Sequence, residues 1–237
     1  MRHAGVLPFR NSKLSSKTMK SKVVIFSGTV LGLALSGVFG WNLIARGAYE
    51  SAEYKVLESE GKFEVREYPD LMLAATSTKS DLQGRDGSFM QLFRYISGAN
   101  ESKQKISMTT PVFMESQSDG DRVQMGFVMP KEVAEQGVPK PTGEKVEVRK
   151  RQGGRFAVVR FSGALTAKSA KDAETRLREW MQTKGLEPMP TGESNGVATG
   201  ESNGMPTGES NGVETAGYDP PFTPGPLRRN EVLIRIR

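Results

Sequence analysis

Lys105–Met114 reads KISMTTPVFM, and Gly217–Val232 reads GYDPPFTPGPLRRNEV. The first is an alternating, strand-forming run broken by Pro111, which has no N–H to give to a ladder, so it predicts a bulged or edge strand. In the second, Pro220, Pro221 and Pro224 fix φ along a pre-ordered loop. That loop passes through Arg228-Arg229 into a last strand, where Val232, Ile234 and Ile236 oppose Leu233, Arg235 and Arg237.

Working outward, period-two alternation marks further strands. Phe63, Val65 and Glu67 alternate with Lys62, Glu64 and Arg66, and Leu71–Thr78 follows. Ile106, Met108, Thr110, Val112 and Met114 share one face of a third strand. Val123, Met125, Phe127 and Met129 share one face of a fourth, ended by Pro130. Val146 and Val148 mark a fifth, and Ala157, Val159 and Phe161 a sixth, ended by Gly163. Two segments have helical period. Asp86–Ser97 aligns Phe89, Leu92, Phe93 and Ile96, with Gly98 as C-cap. Lys168–Lys184 aligns Ala170, Ala173, Leu177, Trp180 and Met181, with Ser169 and Asp172 at capping-box spacing and Gly185 at its end. Strands, helix, strands, helix and strand predict an α+β domain with a largely antiparallel sheet.

Two regions stand apart from this body. Val23–Ala45 has no charged residue and is long enough, at 1.5 Å per residue, to cross a hydrocarbon core of roughly 30 Å. Residues 1–22 carry Arg2, Arg10, Lys13, Lys17, Lys20 and Lys22 and no acid, which accounts for the whole formal charge of +6. The basic balance therefore argues for a membrane-flanking tail and not for a nucleic-acid surface. The positive-inside rule reads 1–22 as a cytoplasmic tail, 23–45 as a transmembrane anchor, and the rest as extracytoplasmic (periplasmic). A cleaved signal peptide, giving a secreted domain, and an organellar transit segment are the competing readings. Residues 191–214 repeat TGESNGVA, TGESNGMP and TGESNGVE, too short and polar to bury a face, and read as a disordered octapeptide insertion in a 52–237 domain.

The composition removes several chemistries. There is no cysteine, and the single histidine is His3. Thiolate sites, Ser-His-Asp arrangements, the common zinc sites and a histidine-ligated haem iron are excluded from the folded body. Glu64 and Glu67 form a carboxylate pair, but no phosphate loop, metal cluster or activated nucleophile accompanies it, so the chain reads as not an enzyme. Tyr218 and Phe222 offer flat apolar surfaces on the proline loop. Arg228 and Arg229 could hold carboxylates, or pair with local acids such as Glu231.

The M-T-x-P-V run at Met108–Val112 and the Y-D-P-P…R-R-N-E-V run at 218–232 resemble the hallmarks of the SOUL/haem-binding protein family. The resemblance implies a distorted antiparallel β-barrel of two similar halves with two main helices, here preceded by one transmembrane helix. It also implies an apolar groove between the first helix and the Y-D-P-P loop that takes haem or another porphyrin non-covalently. Carried over, the helix supplies Phe89, Met90, Phe93 and Arg94, and the loop Tyr218, Phe222 and Thr223. The helix carries phenylalanines where animal relatives look methionine-rich, and a basic loop residue that the family leads one to expect near Thr223 is missing, though Arg94 remains. With no histidine to hand, Met90, Tyr218 or water would meet the iron, or ring burial alone would hold the macrocycle. The expectation is a membrane-tethered tetrapyrrole-binding protein. The alternative is a small-ligand effector-binding or protein-interaction module of similar fold that does not bind haem.

Overall fold

The alternating runs form strands in the computed structural model, which describes residues 49–79, 87–117, 122–189, 210–220 and 223–237. In chain order these are β1 (Glu50–Ser51), β2 (Lys55–Glu60), β3 (Phe63–Tyr68), β4 (Leu71–Lys79), β5 (Thr109–Thr110), β6 (Val112–Gln117), β7 (Arg122–Val128), β8 (Glu147–Arg151), β9 (Gly154–Phe161), β10 (Ser210–Gly217) and β11 (Asn230–Arg235). The helices are α1 (Ser88–Ile96), the short α2 (Lys131–Gln136) and α3 (Ala167–Lys184). Nine strands make one sheet in the order β2-β3-β9-β11-β10-β6-β7-β4-β8, every neighbouring pair antiparallel. β1 and β5 form a separate parallel pair.

This order contains two ββαββ halves. β3, β4, α1, β6 and β7 make one, and β8, β9, α3, β10 and β11 the other. They meet at β6–β10, and each sends its first strand to the far half, β3 onto β9 and β8 onto β4. Five strands lie between β3 and β4 in the ladder, yet Pro69 and Asp70 alone connect them. In a flat sheet that gap would be roughly 29 Å, while three residue steps reach about 11 Å. The sheet must therefore curl until its ends nearly meet. β8 returns to β9 through Gln152 and Gly153 by the same device. The expected barrel is thus corrected to a strongly curled half-barrel. No ladder joins edges β2 and β8; these two chain corners close the curl.

The corners are in contact. The Gly153 N–H donates to Asp70 Oδ1 at 2.8 Å. Arg235 donates to the Gln152 and Gly153 carbonyls at 2.5 and 2.6 Å. Beside them, the Arg151 guanidinium of edge strand β8 lies 4.4 Å from the Phe113 ring, 4.5 Å from Phe156 and 5.1 Å from Tyr68. Both Nε and NH2 of Arg151 donate to Glu214 Oε2. One cation thus ties β8 to β3, β6, β9 and β10.

α1 packs on β4 and β7, and α3 on β9 and β11. Between helices and sheet lies the main core, which includes Leu92, Ile96, Phe127, Val159, Leu177 and Ile234. α3 is capped by Thr166, not by Ser169. Ser169 is the third helical residue, its N–H donating to Thr166 Oγ1 at 3.1 Å while Thr166 N–H donates back to Ser169 Oγ. Gly185 ends the helix at φ 64, as expected. The run from Ile106 to Met114 is two strands, divided at Pro111: Thr109–Thr110 turn away to pair with β1, and Val112 begins the central ladder. β10 contradicts the reading of 191–214 as wholly disordered, because Ser210–Glu214 belong to a central strand. Val23–Ala45 and residues 191–209 lie outside the described residues. Among the described residues no helix is long and apolar enough to cross a membrane.

Candidate functional site

The SFMQLFRYI sequence of α1 is apolar on more sides than one contact requires. Ser88, Leu92, Tyr95 and Ile96 face the sheet and are buried. Tyr95 donates to the Pro139 carbonyl at 2.7 Å, and burial pushes its hydroxyl up to about 12. Phe89 is half-buried, its ring edge-on to core Phe127 at 5.2 Å and nearly parallel to Phe93 at 6.3 Å. Met90 and Phe93 then point outward, 48% and 42% exposed. They stand three residues apart on one side of the helix. Arg94 is exposed beside them and has no ion-pair partner among the described residues.

α3 shows that this exposure is not a general habit of the fold. Its large apolar residues Leu177, Trp180 and Met181 are all buried, and charged residues cover its outside. Two of the five exposed large hydrophobics among the described residues lie on α1, within one turn. The Arg94 guanidinium and the aromatic–thioether surface together suit a flat apolar ligand that carries carboxylates.

The proline loop is placed differently. Tyr218 follows β10 with its ring on the inner face of the curl, in a cluster with Tyr68, Phe113 and Phe156. α1 sits on the outer face, so Tyr218 does not wall the same surface as Phe89 and Phe93. The Tyr218 hydroxyl donates to Glu231 Oε2 at 2.8 Å. Burial and the nearby carboxylate push its pKa well above 10.0. Arg229 is also directed inward. Its Nε and NH2 donate to Glu231 Oε1 at 3.0 and 2.7 Å, and its guanidinium covers the Tyr218 ring at 4.0 Å. Arg228 is half-exposed, with Nε on the Thr223 carbonyl at 2.7 Å. Phe222 lies outside the described residues.

What the R-R-N-E-V run builds is a buried charge network. Arg66 is fully buried and donates to both Glu231 oxygens, at 2.7 and 3.0 Å, and from Nε to Glu64 at 2.7 Å. Arg160 pairs with Glu64 from the other side. Burial raises the Glu231 pKa, but Arg66 and Arg229 outweigh it and hold the carboxyl below its ordinary value. Asp219 accepts the Arg229 N–H at 2.5 Å, and Asn230 donates to the Gly163 carbonyl at 2.9 Å. Sequence reasoning missed Arg66 because the polar residues of β3 look like a solvated face. Glu64 and Glu67 fall on opposite sides of that strand, one buried and one exposed, so they are not a carboxylate pair. Among the described residues no group of three or more His, Cys, Asp or Glu could hold a metal ion.

A sequence profile of the family described as SOUL heme-binding protein matches residues 49–235. Among solved structures, similar chains include the EcmrR C-terminal domain, 10% identical with TM-score 0.47, covering 78% of this chain and 98% of that one. A hydrolase from Listeria innocua is 14% identical with TM-score 0.48, covering 76% and 94%. EcmrR in a DNA complex is 10% identical with TM-score 0.49, covering 94% and 72%. A comparison with curated proteins found no match.

Proposed function

Because the chain belongs to the SOUL heme-binding protein family, we propose that it holds haem or a related tetrapyrrole non-covalently on the outward face of α1. The observation that carries this reading is the exposed pair Met90 and Phe93, backed by Phe89 and flanked by Arg94, which has no ion-pair partner among the described residues. Phe89, Met90 and Phe93 would take one face of the ring, and Arg94 a propionate. Burying on the order of 250 Å² of apolar surface would contribute roughly 6 kcal/mol before ordering losses. The role is binding, not catalysis. The Arg94 cation beside the patch favours this reading over a haem-free effector module, which would need no propionate partner. Tyr218 and Arg229 support the domain from inside.

Full-length chain in detergent, titrated with haem and with iron-free protoporphyrin IX, tests the site. Phe93→Glu puts a carboxylate against the macrocycle and should weaken both ligands at least about 30-fold. An exposed substitution of this kind shifts stability by only about 0.5 kcal/mol. Unchanged affinity in this variant would place the ligand elsewhere, and saturable binding of neither ligand to the native chain would remove the reading.

We read the domain as membrane-tethered through Val23–Ala45, with residues 1–22 cytoplasmic and the α1 face on the extracytoplasmic side. Full-length protein should stay in the membrane pellet after alkaline carbonate washing. Release into the supernatant would refute the tether.

A further inference from the structure

Side chains that could meet a haem iron are unevenly distributed on this chain. His3 is the single histidine and there is no cysteine. Tyr68, Tyr95 and Tyr218 are buried, and each hydroxyl is engaged: with Arg66, the Pro139 carbonyl and Glu231 respectively. Tyr54 is half-buried, with Arg66 over its ring and Arg229 on its hydroxyl. Tyr49 is exposed, but it precedes β1, which pairs with β5 and not with α1. Of the described methionines, Met72, Met108, Met114, Met125, Met129, Met181 and Met189 are buried or half-buried. Met90 alone is exposed, in the first turn of α1 on an outward face where a polar side chain would be the ordinary choice.

Its neighbours give the exposure a purpose. Phe93 stands three residues on and Arg94 four, so all three share one side of α1. Met90 and Arg94 are about 6 Å apart along the axis, so one flat ligand can touch thioether, ring and guanidinium together. Resting on the assignment of α1 as the tetrapyrrole surface, we propose that Met90 is the axial ligand of the bound iron and that the chain therefore prefers ferrous haem. The bond is dative: a lone pair of Met90 Sδ is shared with iron, and no proton or electron is transferred. A thioether is neutral and soft, and axial methionine raises the potential of haem iron. Oxygen donors carrying charge would favour the ferric state, and α1 presents none.

The test compares ferrous haem (reduced with dithionite), ferric haem and iron-free protoporphyrin IX on full-length native chain and on Met90→Leu. Native protein should bind ferrous haem at least about 10-fold more tightly than ferric, equivalent to raising the bound iron's potential by about 59 mV. In Met90→Leu the ferrous-to-ferric affinity ratio should collapse to about 1, and the absorption spectrum of the ferrous complex should change. A native ratio near 1, or a ratio that Met90→Leu leaves intact, overturns the ligand assignment. Binding of iron-free protoporphyrin to the native chain reports the α1 surface independently. If it binds while the ratio stays near 1, the surface stands and the ligand falls. If no macrocycle binds, both fall.

Discussion

Replacing Glu231 with alanine will destabilise the domain by about 3 kcal/mol, because the fully buried Arg66 guanidinium loses its two-pronged carboxylate partner and keeps Glu64 alone. Arg66 gives Glu231 two hydrogen bonds, and Tyr218 and Arg229 lean on the same carboxylate. For a chain of this size that corresponds to a fall in Tm of roughly 10 °C. Removing the two central charges together, as in Arg66→Met with Glu231→Leu, should recover part of the loss, since Glu64 keeps Arg160 while the partly exposed Arg229 can turn to solvent. The pH dependence has a fixed sign. The Glu231 pKa is lowered in the folded state from an ordinary 4.5, so its stabilisation is complete above 4.5 and disappears as pH falls through the lower native value. Native protein and Glu231→Gln should therefore converge in stability in acid. Denaturant midpoints at pH 7 and pH 3 measure all of this. A loss under 1 kcal/mol for Glu231→Ala would show that the network is not what holds the loop.

Gly153→Ala should be nearly as damaging, for a steric reason. A Cβ at Gly153 would sit 2.4 Å from the Tyr68 carbonyl oxygen, 2.5 Å from the Pro69 carbonyl carbon and 2.8 Å from the Asp70 nitrogen. All three are backbone atoms of the β3–β4 corner, so no side chain can swing aside. The two corners that close the curl would have to separate. Overpacking of this kind costs about 3 kcal/mol, occasionally more. Gly143 is the internal control, since a Cβ there meets nothing within 4 Å. Chemical denaturation of the two variants in parallel should separate them by most of that amount. Equal midpoints would mean that the corners are not in tight contact in solution.

Much of this fold was legible because apolar alternation survives wherever one strand face meets a helix. Val65, Val159 and Ile234 lie on the outer face of the sheet as their spacing requires. The other face was not legible. Glu64 and Arg66 have the pattern of solvated residues, and only the curl, a property of strand order, turns that side into an interior. β2 is exposed along its whole length, so it carries no burial signal. β10 begins inside a polar repeat, where composition argues against a strand. At the candidate site, α1 and the inward placing of Leu92 and Ile96 followed from helical period. Tyr218 and Arg229 did not follow, because proximity in a motif says nothing about which side of a sheet a side chain takes.

The repeat itself gains a meaning from β10. Its three units share TGESNG, so a chain threading them into the sheet could slip by one unit with little to correct it. The eighth residue differs: Ala198, Pro206 and then Glu214. Only the last can accept the two Arg151 hydrogen bonds, and proline at that place would also delete a ladder donor. The final copy is thus the one the sheet can read, and gain or loss of whole copies ahead of it would alter the length of the connection while the pairing of β10 stayed put.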